Sequence, residues 1–313
     1  MKVAVLAGGL SHEREISERS GRRVADALRD AGHEVVLYDT DVNLLPQLQA
    51  NRPDVVVPML HGAAGEDGAL REVLKALNLP YVGATPSACR MSFDKPLAKA
   101  IVENAGINVP FGMALPHTTF RELGADKLMH ILVEKVGLPL IVKPARGGSS
   151  LGASRVDDAA GLAAALVSAF AYADAAIVEQ FIDGTEVAVS VLETGVSVEA
   201  LPAVEICPDG DFYDYNSRYV AGMTEFFCPA RLSDELRAKV ANVAVTAHQA
   251  LNLRDLSRSD LIVDKDGKVW FLEVNVAPGM TETSLFPQSV AAAERSMSGV
   301  FDSLVSIAAQ RGG

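Results

Sequence analysis

Apolar runs alternate with segments of helical spacing along the first part of the chain. Lys2–Ala7 is a compact apolar run that ends in Gly8-Gly9, which predicts a buried strand entering a tight turn. Further strands are predicted at His33–Tyr38, Val55–Leu60 and Tyr81–Gly83, and helices at Ser11–Ala31 and Asp67–Leu77. Because the strands alternate with helices, we expect an α/β unit with a parallel, doubly wound sheet over residues 1–93.

The pattern changes near Asp94, where longer strands and glycine-rich loops replace the regular alternation. Helices are predicted at Pro96–Ala105, Asp157–Ala171 and Glu235–Leu251, and strands at Leu138–Lys143, Ala176–Gln180, Glu186–Leu192 and Val198–Cys207. The region 211–235 is rich in Tyr, Asp and Gly and predicts a long functional loop. A hairpin and a C-terminal helix complete the chain, so the fold is α/β with an α+β part.

Asp266-Gly267 lies between two apolar runs and is a strong signal for a two-residue hairpin turn. Such a turn pairs Lys265 with Lys268, and the same register places Asp260 opposite Glu273 and Arg258 opposite Asn275. Two carboxylates facing each other across a strand pair destabilise a sheet unless a cation neutralises them. Carboxylate and amide oxygens suit Mg²⁺ that accompanies phosphates. The hairpin therefore predicts a magnesium site, and a solvated surface hairpin is the plainer alternative.

Lys143 ends a predicted strand and is followed by a loop with the sequence Pro-Ala-Arg-Gly-Gly-Ser-Ser-Leu-Gly. A cation at a strand end, followed by glycines that let backbone N–H groups approach a ligand, predicts a phosphate cradle. A flexible linker is the alternative. The loop also contains Gly-x-Ser-x-Gly centred on Ser150, but no Asp-x-His constellation supports a hydrolase.

Composition narrows the class of protein. The chain has 313 residues, of which 49% are apolar and 22% charged, and this predicts a folded protein of two or three domains. The net charge of −12 disfavours nucleic acid and anionic membranes as partners. The three cysteines lack CxxC spacing, which favours a reduced, cytoplasmic protein, and no stretch is apolar enough to cross a bilayer. The acidic surface does not oppose a homodimer, which we expect.

Ordered sequence blocks along nearly the whole chain resemble the D-alanine–D-alanine ligases of the ATP-grasp superfamily. These blocks begin at Gly8 (GGLSHERE), His61 (HGAAGEDG), Tyr81 (YVG), Lys143 (KPARGGSS), Phe212 (FYDY), Phe227 (FCPA) and Leu272 (LEVNVAPGMT). The resemblance implies a three-domain ATP-grasp fold, with domains at 1–93, 94–183 and 184–313. It also implies that ATP phosphorylates the carboxylate of one D-alanine and that the amine of a second D-alanine attacks the acyl phosphate, in peptidoglycan precursor synthesis.

The resemblance also implies roles for individual residues. The residues expected to bind ATP are Lys95, Lys143, Glu179, Phe181, Ile182, Glu186 and Arg218. Catalytic roles are implied for Glu13, Ser149, Tyr219, Arg258, Gly279 and Ser284. Substrate contacts are expected from Glu13, His61, Ser284 and Leu285. Two Mg²⁺ ions, with Mn²⁺ as an alternative, are expected at Asp260, Glu273 and Asn275.

Two other functions remain open at this stage. A related ATP-grasp ligase would use another D-amino acid or a D-hydroxy acid as acceptor, and Tyr219 favours the dipeptide enzyme because depsipeptide-forming relatives tend to lack that tyrosine. A non-catalytic ATP-binding homologue would be expected to have lost part of the metal set, whereas Asp260, Glu273 and Asn275 are all present.

Overall fold

The computed structural model describes residues 1–148, 150–210 and 222–312. Its strands are β1 Lys2–Ala7, β2 Glu34–Asp39, β3 Val55–Pro58, β4 Gly112–Pro116, β5 Leu140–Pro144, β6 Ser154–Val156, β7 Ala175–Gln180, β8 Gly184–Glu193, β9 Val198–Ala200, β10 Val204–Pro208, β11 Thr224–Phe227, β12 Leu256–Asp264 and β13 Val269–Asn275. Its helices are α1 Arg14–Asp30, α2 Leu44–Ala50, α3 Ala63–Glu66, α4 Ala69–Ala76, α5 Pro86–Phe93, α6 Lys95–Asn104, α7 His117–Leu123, α8 Ala125–Val136, α9 Leu162–Phe170, α10 Asp234–Ala250, α11 Leu285–Ala292 and α12 Met297–Arg311.

The first sheet is parallel, with strand order β2-β1-β3. Apolar side chains cover both of its faces: Val5 packs in one cluster with residues of α1 and α12, and Leu6 packs in another with residues of α2 and α4. The predicted doubly wound parallel sheet is confirmed. Tyr81–Gly83 is not a full strand, because only Tyr81 forms a single parallel bridge, to Val56.

The second sheet is antiparallel, with order β4-β7-β5-β6. Its core contains Leu132 of α8 and Leu166 of α9, packed on Val142 and Val178 of the sheet. The elements β4, α7 and α8 were not predicted. The spacing of Leu128, Leu132 and Val136, the buried residues of α8, was the helical signal available in that segment.

The third sheet has order β11-β10-β8-β12-β13, with β9 paired to β8. The single strand predicted at Val198–Cys207 is wrong, because the chain forms two strands with Pro202 between them, and a proline cannot donate to a strand ladder. Strand β11 and the first two residues of α10 fall within the predicted loop 211–235. The part of that loop at 211–221 lies outside the described residues.

The last hairpin differs from its predicted turn and still places the predicted residues opposite each other. Asp264 and Lys268 enclose a three-residue loop in which Gly267 has φ +72°, so the predicted pairing of Lys265 with Lys268 is wrong. An irregularity after Asp260 leaves Leu272 as an extra residue on β13 and shifts the register back by one. Asp260 therefore pairs with Glu273, and Arg258 with Asn275, as predicted.

The C-terminal helix returns to the N-terminal sheet. Phe301 and Leu304 of α12 are fully buried in the same cluster as Val24 and Leu28 of α1. Each of the three sheets takes its strands from one of the predicted segments 1–93, 94–183 and 184–313. The packing of α12 on α1, however, joins the first segment to the third. The domain limits therefore stay a prediction. Among the described helices, none combines the length and apolarity needed to span a membrane.

Candidate active site

A cavity of about 360 Å³ lies between the second and third sheets. Its apolar lining includes Ile141, Phe181, Ile182, Ile262 and Leu272. The guanidinium carbon of Arg155 lies 4.3 Å from the centre of the Phe181 ring, which fixes that ring at the wall. A slot with these walls suits a flat aromatic group such as a nucleobase.

Two basic residues, Lys95 and Lys143, also line this cavity. Lys143, at the end of β5, places Nζ 2.7 Å from Oε1 of Glu179 on the neighbouring strand β7. Lys99 of α6 contacts the other oxygen of the same carboxylate. Burial alone would raise the pKa of Glu179, but the two ammonium groups outweigh it and hold this pKa below its usual range. Glu179 is therefore ionised inside the protein.

The glycine-rich loop after β5 is tied to the start of α6. Asp94 caps this helix by accepting the N–H of Leu97, and its carboxylate pairs with Arg146 of the loop at 2.8 Å. Lys95, the first helical residue, donates to the carbonyl of Gly147 at 2.5 Å. These contacts place the Lys95 ammonium beside the loop, where a phosphate would meet both the lysine and backbone N–H groups.

The carboxylates of the hairpin face the same cavity. Asp260 is 3% exposed and receives two hydrogen bonds from Arg258, at 2.7 and 2.9 Å. Oε2 of Glu273 lies 3.2 Å from Nζ of Lys95. Oδ1 of Asn275 accepts the N–H of Ala277 at 2.8 Å, which fixes the orientation of the amide. Asp260 is thus buried, Glu273 is partly buried, and each carboxylate contacts a cation, which excludes a solvated surface hairpin.

A second cavity, of about 170 Å³, lies between the N-terminal sheet and the third sheet. Its lining contains Glu13, His61, Glu66, Arg258, Asn275, Gly279, Thr281, Ser284 and Leu285. Lys95, Gly147, Gly148 and Glu273 line both cavities. The two cavities therefore meet at the glycine-rich loop, so a group bound in one can react with a group bound in the other.

A hydrogen-bonded chain holds the segment that carries Gly279. His61 is 4% exposed, and its Nδ1 donates to the carbonyl of Ala277 at 2.9 Å. Ser20, fully buried on α1, accepts the N–H of Met280 at 3.0 Å and lies 3.3 Å from Nε2 of His61. Burial lowers the pKa of His61, so the ring is neutral. Its Nε2 therefore accepts a hydrogen bond from the Ser20 hydroxyl. Both ends of the segment 277–280 are thereby fixed.

Two carboxyl groups border the glycine-rich loop in the second cavity. A Cβ atom built on Gly148 would lie 3.5 Å from Oε2 of Glu13 and 4.0 Å from Oε1 of Glu66. Glu66 also accepts the N–H of Gly62 at 2.8 Å. Burial, together with the negative charge of Glu13, raises the pKa of Glu66 to about 8. Glu66 thus holds a proton near neutral pH.

Ser284 lies at the N-terminal end of α11, and Leu285 is the first residue of that helix. The Ser284 hydroxyl accepts the N–H of Thr281 at 3.0 Å and lies 2.8 Å from the Thr281 hydroxyl. A Cβ atom on Gly279 would approach Oγ of Ser284 to 2.8 Å, so a side chain at this position would displace the Ser284 hydroxyl. The helix start and the Gly279 backbone therefore face the same cavity.

Most residues singled out from the sequence come together around these two cavities. Ser149, Arg218 and Tyr219 lie outside the described residues. Ser20, Glu66 and Lys99 are among the described residues at the site that were not predicted. Lys99 had a sequence signal, because it lies on the helix predicted at Pro96–Ala105, four residues after Lys95, and a helix that begins at Lys95 brings both to one face.

Comparisons with known proteins agree along the chain. The family model for the D-ala D-ala ligase C-terminus matches residues 101–306, and the model for the D-ala D-ala ligase N-terminus matches residues 41–84. A relative named D-alanine--D-alanine ligase, from Anaeromyxobacter dehalogenans (strain 2CP-1 / ATCC BAA-258), is 42% identical over 290 residues. That match covers 93% of this chain and 91% of the relative.

Solved structures resemble the whole fold. The VanG D-Ala:D-Ser ligase from Enterococcus faecalis matches with a TM-score of 0.84 at 28% identity, over 98% of this chain and 99% of that chain. The D-alanine--D-alanine ligase from Bacillus anthracis complexed with ATP matches with a TM-score of 0.83 at 28% identity, over 99% of this chain and 98% of that chain. The expected ATP-grasp architecture is confirmed, and the chain belongs to the D-alanine–D-alanine ligase family.

Proposed function

We propose that this protein uses ATP to join two D-alanine molecules into D-alanyl-D-alanine, a precursor for peptidoglycan synthesis. The observation that carries the proposal is the junction of the two cavities at Lys95, Gly147, Gly148 and Glu273. A nucleotide in the larger cavity would have its terminal phosphate at this junction, next to a small substrate in the other cavity.

The larger cavity supplies groups for each part of ATP. The adenine would lie in the slot walled by Phe181 and Ile182, with Glu179 nearby and Glu186 placed for the ribose. Lys95 and Lys143 line the same cavity and would bind the phosphates. Arg218, outside the described residues, is proposed as a further phosphate ligand.

The hairpin fits magnesium that arrives with the nucleotide. Within the ranges that the structure describes, no group of three or more His, Cys, Asp or Glu side chains is arranged to hold a metal ion. Hard oxygen donors for Mg²⁺ are offered by Asp260, Glu273 and the Asn275 amide. Phosphate oxygens of the nucleotide would complete the ligands of the ion, as is usual for Mg²⁺ in nucleotide sites. When bound, two such ions, Mg²⁺ or Mn²⁺, would neutralise charge on the phosphates.

In the first step, a carboxylate oxygen of the first D-alanine attacks the γ-phosphorus of ATP, and the bond to ADP breaks. Glu13 holds the ammonium group of this D-alanine, and Ser149 and Tyr219 complete a hydrogen-bonded trio with it. Arg258, which is 7% exposed and lines the second cavity, stabilises the charge on the acyl phosphate.

In the second step, the amine of the second D-alanine, after losing a proton, attacks the acyl carbon, and inorganic phosphate leaves. The N–H of Gly279, held by the segment fixed through His61, stabilises the oxyanion together with Arg258. The carboxylate of the second D-alanine binds at Ser284 and Leu285, where the start of α11 favours an anion. Preorganised donors of this kind account for much of the catalysis.

The test is phosphate release from ATP with a panel of D- and L-amino acids and D-lactate, with the product identified by mass spectrometry. We expect release that requires D-alanine and Mg²⁺ and that yields the dipeptide. Asp260→Asn should lower kcat by about 100- to 1000-fold. The matched control is Asp126→Asn, an exposed aspartate on α8, which should keep the parental rate.

Other outcomes would identify other functions. Faster turnover with D-serine or D-lactate as acceptor would replace the proposed acceptor. ATP binding without any turnover would indicate a non-catalytic homologue. If Asp260→Asn released phosphate at the parental rate with D-alanine, the assignment of the hairpin would be wrong.

A further inference from the structure

Lys99 lies behind the wall of the nucleotide cavity. It follows Lys95 by one helical turn on α6 and is 7% exposed, yet it does not line the cavity, whereas Lys95 does. Its ammonium group contacts Oε2 of Glu179 directly. A buried lysine that does not line the cavity can act on the site through the carboxylate that it contacts.

That partner is shared with a ligand-facing lysine. The Glu179 carboxylate is 2% exposed and lies between two ammonium groups, with Lys143 on Oε1 at 2.7 Å and Lys99 on Oε2. Lys143 lines the cavity and can turn toward a phosphate. Lys99 does not line the cavity, and it contacts the second oxygen of the carboxylate.

Phosphate binding therefore changes the charge balance at Glu179. A phosphate that draws Lys143 away removes one cation from a buried carboxylate, and an uncompensated buried charge is strongly unfavourable. With Lys99 in place, the carboxylate keeps a partner. Without Lys99, Glu179 would compete with the phosphate for Lys143.

We propose that Lys99 is a positioning residue that keeps Glu179 ionised and in place, and thereby releases Lys143 to bind the nucleotide phosphates. The inference deepens the proposed function, on which it rests for the identity of the nucleotide. It predicts an effect on ATP and not on D-alanine, because Lys99 is not among the residues that line the second cavity.

The experiment compares Lys99→Met, which removes the charge, with Lys99→Arg, which keeps it. We expect the Kd for ATP, measured by calorimetry with Mg²⁺, and the KM for ATP to rise roughly 10-fold or more in Lys99→Met. The KM for D-alanine should stay within about 2-fold. Lys99→Arg should recover most of the ATP affinity. The control is Lys135→Met, an exposed lysine on α8, which should bind ATP like the parent.

Glu179→Gln separates charge balance from simple loss of packing. Once the carboxylate is neutral, Lys99 has no charge to compensate, so Glu179→Gln and the double variant Lys99→Met/Glu179→Gln should bind ATP equally well. This comparison also covers the case in which Lys99→Met alone does not fold, since removing both charges of a buried pair is far milder than removing one.

Three results would overturn the inference: unchanged ATP affinity in Lys99→Met, equal losses in Lys99→Met and Lys99→Arg, or a further loss in the double variant relative to Glu179→Gln. Failure of the proposed function would look different. In that case the parent protein would form no dipeptide, while the ATP affinities of these variants could still be compared.

Discussion

At the scale of single residues, burial decides the charge of Glu66. The pKa of this carboxyl is raised from 4.5 to about 8 by burial and by the nearby charge of Glu13. At a pH between these two pKa values, the Glu66 carboxyl keeps its proton in the folded protein and loses it in the unfolded chain. It follows from linkage that Glu66 destabilises the fold progressively as pH rises from the lower pKa to the higher one.

Glu66→Gln should remove that penalty, because glutamine stays neutral and its oxygen can still accept the Gly62 N–H. We expect the free energy of unfolding of the variant to exceed that of the parent by a margin that grows between about pH 5 and about pH 8 and is constant above. Urea denaturation across this range measures the margin. Parallel pH profiles for the two proteins would show that Glu66 is ionised in the fold.

Glu66 also shows why the site could be predicted only in part. Glu13 and Lys143 stand in recognisable blocks, and the structure places both at the cavities. Glu66 stands in such a block as well, but its raised pKa depends first on burial in the fold and then on Glu13, more than fifty residues away in the sequence. Ser20 likewise acquires its partners only when α1 packs against the segment 277–280.

At the scale of elements, the last hairpin has the predicted pairing of Asp260 with Glu273 although its turn differs from the predicted one. The predicted two-residue turn is a three-residue loop, and the extra residue Leu272 on β13 shifts the register back. The pairing of Asp260 with Glu273 is right because the two differences cancel. No pattern in the sequence marks the irregularity, since Leu272 is apolar like its neighbours.

The loop itself depends on Gly267, whose φ of +72° disfavours side chains. Gly267→Ala should lower the free energy of unfolding by about 1–2 kcal/mol, and Gly267→Asn by less, because asparagine tolerates this conformation. Gly161→Ala is the matched control: its φ is −73° and its Cβ would make an ordinary 3.6 Å contact with Val156. Chemical denaturation compares the three variants, and equal losses at both sites would contradict the argument.

At the scale of the whole molecule, residues distant in sequence enclose the second cavity. Glu13 and His61 follow strands of the N-terminal sheet, while Arg258 and Ser284 come from the third sheet and the segment after it. The two parts must therefore stay docked for the cavity to exist. Helix α12 provides much of this docking by packing on α1 and β3.

A buried ion pair reinforces the docking. Asp255, which is 1% exposed, accepts the N–H of Gly83 at 2.6 Å and binds Arg311 of α12 through both oxygens, one of them at 2.7 Å. Arg311 also donates to the carbonyl of Tyr81 at 3.2 Å. Residues of the N-terminal part, the third sheet and the C-terminal helix thus meet at one carboxylate.

Arg311→Met should therefore lower the free energy of unfolding by about 3 kcal/mol, since it leaves a buried carboxylate without its cation. The matched control is Arg295→Met. Arg295 also binds a carboxylate through two hydrogen bonds, with Glu199, but that pair is partly exposed to solvent and its loss should cost less than about 1 kcal/mol. Urea denaturation of the two variants measures the difference, and equal losses would mean that burial of Asp255 does not govern the docking.

Because the second cavity lies between the docked parts, Arg311→Met should also raise the KM for D-alanine more than the KM for ATP, whose cavity lies between the second and third sheets.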